Sequence, residues 1–166
     1  MNLHDIPSGE TVLVDANIVL HGARQKSAQC ARFLHRCAER DVQGIVGMMQ
    51  MAEVMHRLMM FEVHDAGWTG SGNPTRTVSR HPERVRGLAK YAESMKALLA
   101  SAIRLEPLQK EDFAVALLLQ RQYGFLTNDA FLIALSDRLR IGAIASADRA
   151  FDRVHGERLY VPDDIA

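Results

Sequence analysis

The chain has 166 residues, 48% of them apolar and 24% charged, the composition of one ordinary globular domain and not of a disordered or fibrous chain. Twenty basic residues balance twenty acidic ones, so no overall basic excess points to nucleic acid. The longest unbroken apolar runs, such as Ala114–Leu119, fall far short of the roughly 18 residues of a membrane span.

The first ten residues carry acids and lack the basic and apolar regions of a secretory signal. Cys30 and Cys37 stand seven apart in a segment that reads as helix, about 10 Å along its axis, too far for a disulfide. Both observations predict a cytoplasmic protein with free thiols and no membrane association.

Thr11–Val14 is short, apolar and β-branched, which predicts a buried strand of a parallel sheet ended by Asp15-Ala16-Asn17. Ala31, Leu34 and Ala38 at helical spacing predict a helix over Ser27–Arg40. Gly44–Val46 reads as a second strand. Met48 to about Phe61 reads as a largely buried helix with Val54, Met55 and Leu58 on its apolar face. Val63–His81 contains Gly67, Gly70, Gly72, Asn73 and Pro74 and reads as a long loop, a length usually kept for function. Pro82 opens a helix running to about Ala102. Ile103–Leu105 is a third strand, and Lys110–Tyr123 a helix ended by Gly124. Thr127 or Asn128 caps a helix to Arg140, and Ala143–Ala145 and Leu159–Val161 complete the strands.

Alternating strands and helices predict a three-layer α/β fold. Its central, mostly parallel sheet has four to five strands flanked by helices. Residues 1–166 read as a single domain, with a loop-plus-helix insertion at about 63–102.

Ligands of open α/β sheets lie at the carboxyl ends of the strands. Asp15 follows the first strand and Asp148 the fourth. Glu53 lies on the helix after the second strand, Asp129 opens a late helix, and Asp152 sits one turn beyond Asp148. Each alone has a structural explanation. Asp15 and Asp129 suit helix starts, Asp148 suits an Asx-turn, and Glu53 suits an i,i+4 pair with Arg57. Converging carboxylates, however, repel one another unless a cation neutralises them. An oxygen-only set without His or Cys suits Mg²⁺ or Mn²⁺, and such a site serves phosphodiester hydrolysis.

The segments VLVDANIVL (12–20), MAEVMHRL (51–58) and LTNDAFLIALSDRLRIGAIASADRAFDRV (126–154) resemble the PIN domain. PIN domains are metal-dependent ribonucleases, and many are toxins of VapBC-type toxin–antitoxin pairs. The resemblance implies catalytic and metal-binding roles for Asp15, Glu53, Asp129 and Asp148. It implies auxiliary roles for Asn17, Ser146 (where the family commonly has Thr) and Asp152. It also implies an RNA substrate, an antitoxin partner and a homodimer. The 63–102 stretch is longer than the compact toxin form needs.

Other features weigh less. Sixteen of the twenty bases are Arg, and the basic run from Arg76 to Lys90, with Arg80 and Arg84 expected on one helix face, reads either as a solvated face or as contacts for RNA phosphates. Trp68 could stack on a base or close over the core. The Met series reads as core or dimer filler, and dimer contacts are expected on the Met-rich and Pro82–Ala102 helices. A haloacid-dehalogenase-like phosphatase wants an acid where Asn17 stands, and a phospho-receiver wants a Lys at a later strand end. A non-catalytic RNA-binding scaffold on the same fold is the remaining alternative, disfavoured by the four acids.

Overall fold

The computed structural model describes residues 1–68, 74–154 and 156–165. Five strands, β1 (Thr11–Val14), β2 (Gln43–Gly47), β3 (Arg104–Glu106), β4 (Ala143–Ala145) and β5 (Arg158–Tyr160), form a sheet in the order β3-β2-β1-β4-β5. Every pairing is parallel. Parallel sheets need both faces covered, and the period-2 alternation of β1 shows how this is met. Val12 and Val14 enter one core with Val46, Ala143, Ala145 and Tyr160. Leu13, between them, enters the other with Ile45, Ile144 and Leu159.

The first core is closed by α1 (Ala16–Ala23), α2 (Ala28–Ala38), α3 (Met48–Asp65) and α6 (Lys90–Ala100). The second is closed by α7 (Lys110–Tyr123) and α8 (Thr127–Leu139). Two short helices, α4 (Pro74–Ser79) and α5 (Pro82–Gly87), lie before α6. Cys30 and Cys37 are buried free thiols. Among the described residues, no helix is long and apolar enough to cross a membrane.

Several elements differ from the expectation. Asp15-Ala16-Asn17 does not merely end β1, because α1 follows at once. With Ala16, Ile18, Val19, Leu20 and Gly22 all buried, its apolar residues show no helical stripe. Gly22 lets α1 and α2 approach closely: a Cβ there would stand 3.2 Å from the Cys30 backbone carbonyl. Helix α3 is amphipathic, with Met51, Val54 and Leu58 buried while Met48 and Met55 are exposed.

The expected 63–81 loop is partly helical, since α3 runs on to Asp65 and α4 follows; Gly70, Gly72 and Asn73 lie outside the described residues. The expected 82–102 helix is two helices. Leu88 adopts extended backbone between them and buries itself with Val63 and Val78 in a small satellite cluster. Neither Thr127 nor Asn128 caps α8. Leu126 occupies that position and makes no side-chain capping bond.

Candidate active site

Asp15 stands at the carboxyl end of β1. Its backbone N–H donates to the Ala145 carbonyl at 3.0 Å, tying it to the end of β4. It occupies the N-cap position of α1, yet its side chain makes no capping bond. The carboxylate is held instead by the neighbouring strand end. The Ser146 hydroxyl donates to Asp15 Oδ2 at 2.6 Å, and the Asn17 amide donates to the same oxygen at 2.6 Å. Asn17 also reaches Ser146 Oγ at 3.1 Å and accepts the Ala147 N–H at 2.9 Å. The Asp148 N–H donates to Ser146 Oγ at 3.0 Å. Residues 130 apart in sequence thus form one buried polar knot, and Asp15, Asn17, Ser146 and the Asp148 backbone are brought together.

Glu53 reaches the site from α3. The Asn128 amide donates to its Oε2 at 2.5 Å, and Gln50 fixes Asn128 by donating to its carbonyl at 2.9 Å. Its Oε1 accepts from Arg57 at 3.4 Å, the expected i,i+4 pair. The side chain is 29% exposed, so Glu53 is not the deeply buried acid that the apolar neighbours in sequence suggest. Asp148 Oδ1 accepts the Ala150 N–H at 2.7 Å and caps a 3₁₀ turn over Arg149–Arg153. Asp152 is exposed on that turn, and among the described residues no hydrogen bond or ion pair joins it to the other acids.

Electrostatics links the four acids. Burial pushes the Asp15 carboxyl up to about 6, against the lowering effect of the Ser146 hydroxyl, and the charges of Asp129 and Glu53 push it further. The Asp129 carboxyl is likewise raised, first by burial and then by Asp148 and Glu53. Among the described residues, no three His, Cys, Asp or Glu side chains close into a cage around one point. The acids form an open, mutually repelling group.

Arg80 and Arg84 do not share a helix face, because α4 ends at Ser79 and α5 begins at Pro82. Arg84 lies 5.5 Å from the Trp68 ring, and Trp68 packs on the satellite cluster. Trp68 thus covers a small apolar cluster, the second of its two expected roles.

At the opposite, amino-terminal edge of the sheet lies an open cavity of about 780 Å³. Glu10, Gln43, Arg104, Arg140 and Arg158 are among its walls. Glu10 accepts from Arg158 at 2.8 Å.

The PIN domain family model matches residues 12–157, and the chain belongs to that family, which is one of nucleases. Among solved structures it is similar to the VapBC2 complex of Rickettsia felis bound to a DNA fragment from its promoter. That match has a TM-score of 0.59 and 11% identity and covers 92% of this chain and 99% of the other. It is also similar to a toxin–antitoxin complex from Klebsiella pneumoniae, with a TM-score of 0.56, 13% identity and coverage of 89% and 95%. At these identities the likeness is one of fold. No curated protein matches the sequence.

Proposed function

We propose that the protein is a divalent-cation-dependent endoribonuclease and the toxin of a toxin–antitoxin pair. One observation carries the nuclease reading. Four carboxylates from four separate elements meet at the carboxyl edge of the sheet, where burial and each other's charge raise Asp15 and Asp129. A bound cation relieves that cost, and it suits these donors, which are all oxygen. Their open arrangement suits an ion that keeps several of its waters.

Asp15, Glu53, Asp129 and Asp148 would hold the cation, Mg²⁺ or Mn²⁺. When bound, it supplies Lewis-acid polarisation of the phosphodiester. Asn17 and Ser146 aim Asp15 by fixing Oδ2. Asn128 and Arg57 steady Glu53 from two sides. The turn capped by Asp148 holds that acid at the end of β4. Asp152 is an auxiliary acid at the rim. No side chain is needed as a covalent nucleophile.

The toxin reading draws on the two similar folds, both from toxin–antitoxin complexes. A homodimer is part of the same proposal. The exposed apolar residues that support it include Phe113, Leu117 and Leu118 on α7 and Leu126 beside it. The Met-rich and 82–102 helices offer Met48, Met55 and Leu99.

The test uses single-stranded RNA with Mg²⁺, Mn²⁺ or EDTA. Cleavage is expected with either metal and not with EDTA. Asp15→Asn and Asp129→Asn should each abolish it while leaving the circular dichroism spectrum unchanged. Full activity in both variants overturns the assignment.

A further inference from the structure

Beside the acids, between α1 and α3, lies a cavity of about 100 Å³ whose walls include Asn17, His21, Arg24, Lys26, Arg57 and Phe61. No acid is among its lining residues. Two of its residues belong equally to the acidic site. Asn17 donates to Asp15, and Arg57 donates to Glu53. The cavity and the carboxylate cluster therefore share a wall, one side cationic and the other anionic.

The cations are arranged for a ligand. The Arg24 guanidinium lies 3.8 Å from the centre of the Phe61 ring, with Arg57 at 5.8 Å from the same ring. An arginine stacked on an aromatic face keeps its in-plane N–H groups available for an oxyanion. Among the described residues, neither Arg24 nor Lys26 forms an ion pair with a carboxylate. Gln25, between them, adopts left-handed backbone at φ 54. There the chain turns back on itself, with the Lys26 N–H donating to the His21 carbonyl at 2.9 Å. His21 is held below its ordinary pKa, first by burial and then by Arg57, with Arg24 adding to the effect and Asp164 opposing it.

The volume is enough for one phosphate group. A strand passing through the acidic site would carry a neighbouring phosphate directly to this cavity.

We propose that this cavity is a subsite for a backbone phosphate of single-stranded RNA adjoining the one at the carboxylates, with Arg24 and Lys26 as its charged contacts. It rests on the nuclease reading. It places the phosphate contact on α1 and the turn after it, and not on Arg80 and Arg84.

The experiment measures anisotropy of a labelled single-stranded RNA decanucleotide in EDTA across a KCl series, with cleavage in Mn²⁺ measured alongside. The Arg24→Ala/Lys26→Ala double variant should bind at least tenfold more weakly at low salt. Its salt slope should be shallower by about 0.7, the contribution of the one phosphate that the two residues would neutralise on a single strand. KM for cleavage should rise far more than kcat falls, and Arg24→Lys should retain the wild-type slope.

Unchanged affinity and slope in the double variant, with cleavage intact, overturn the subsite and leave the nuclease reading standing. Binding lost in the variant while the wild type cleaves nothing upholds the subsite and overturns the nuclease reading. The subsite is also overturned if the wild type binds no RNA at low salt. The same holds if Arg80→Ala/Arg84→Ala alone flattens the slope, or if an oligoglutamate peptide competes as well as RNA of equal charge.

Discussion

The two edges of the central sheet carry opposite charge and treat it differently. At the amino edge Arg158 meets Glu10 at 2.8 Å. Arg140 is the C-cap of α8, where a cation complements the negative pole of the helix. At the carboxyl edge Asp15 and Asp129 are raised by burial and then by the like charges they face. One edge is satisfied from within, and the other awaits charge from outside. A net charge of zero conceals this separation, and so is a poor guide to what the protein binds.

The sharpest way to break this comparison is by pH in metal-free buffer. The Asp15 carboxyl is raised from 3.8 to about 6 in the fold. The native state therefore holds its proton more tightly than the unfolded chain does. Stability falls as pH rises through the window from about 4 to about 6, and above it the penalty is complete. Asp15→Asn should raise the unfolding free energy at pH 7.5 in EDTA by about 1–3 kcal/mol, at 1.36 kcal/mol per pH unit. Urea titrations should show the gain gone at pH 4 and reduced by Mg²⁺, which binds and stabilises the wild type. An equal gain from Glu10→Gln would erase the distinction between the edges.

A somewhat smaller effect should come from the groups that aim Asp15. Asn17→Ala removes the amide that donates to Asp15 Oδ2 and the acceptor of the Ala147 N–H. Mn²⁺ affinity measured by calorimetry should fall about 10–100-fold, as for other groups that orient a metal ligand. At the amino edge the smallest effect is expected. Arg158 is half exposed, so Arg158→Ala should cost no more than about 1 kcal/mol in urea unfolding. It should leave cleavage untouched.

Much of the fold was legible because strand and helix starts carry local signals. Thr11–Val14 is β-branched and apolar, Ser27 caps α2 by accepting the Cys30 N–H at 2.9 Å, and Gly124 ends α7 at φ 72. The four acids were legible as candidates because three of them follow strand ends or open a helix. What was hidden depends on residues far apart in sequence. Helix α1 is apolar almost all round and has no stripe to read. The break at Leu88 follows from a satellite cluster assembled from α3, α4 and the segment after α5. The Asn128–Gln50 support of Glu53 joins α8 to α3. The basic cavity takes Arg24 and Lys26 from the end of α1 and its turn, and Arg57 and Phe61 from α3. No window of sequence contains that grouping.

Helix α6 begins without a capping side chain of its own, at Ala89. Glu62 supplies one from α3, accepting the N–H groups of Ala89, Lys90 and Tyr91 at 2.9, 3.1 and 2.8 Å. Those bonds hold its carboxyl below the ordinary range, although burial acts the other way. A helix start anchored on another helix cannot be completed until that helix exists. The cap therefore exists only while α3 and α6 are packed together. The same three amide hydrogens exchange with solvent only when the two helices part, so their protection reports the integrity of the helix that also carries Glu53.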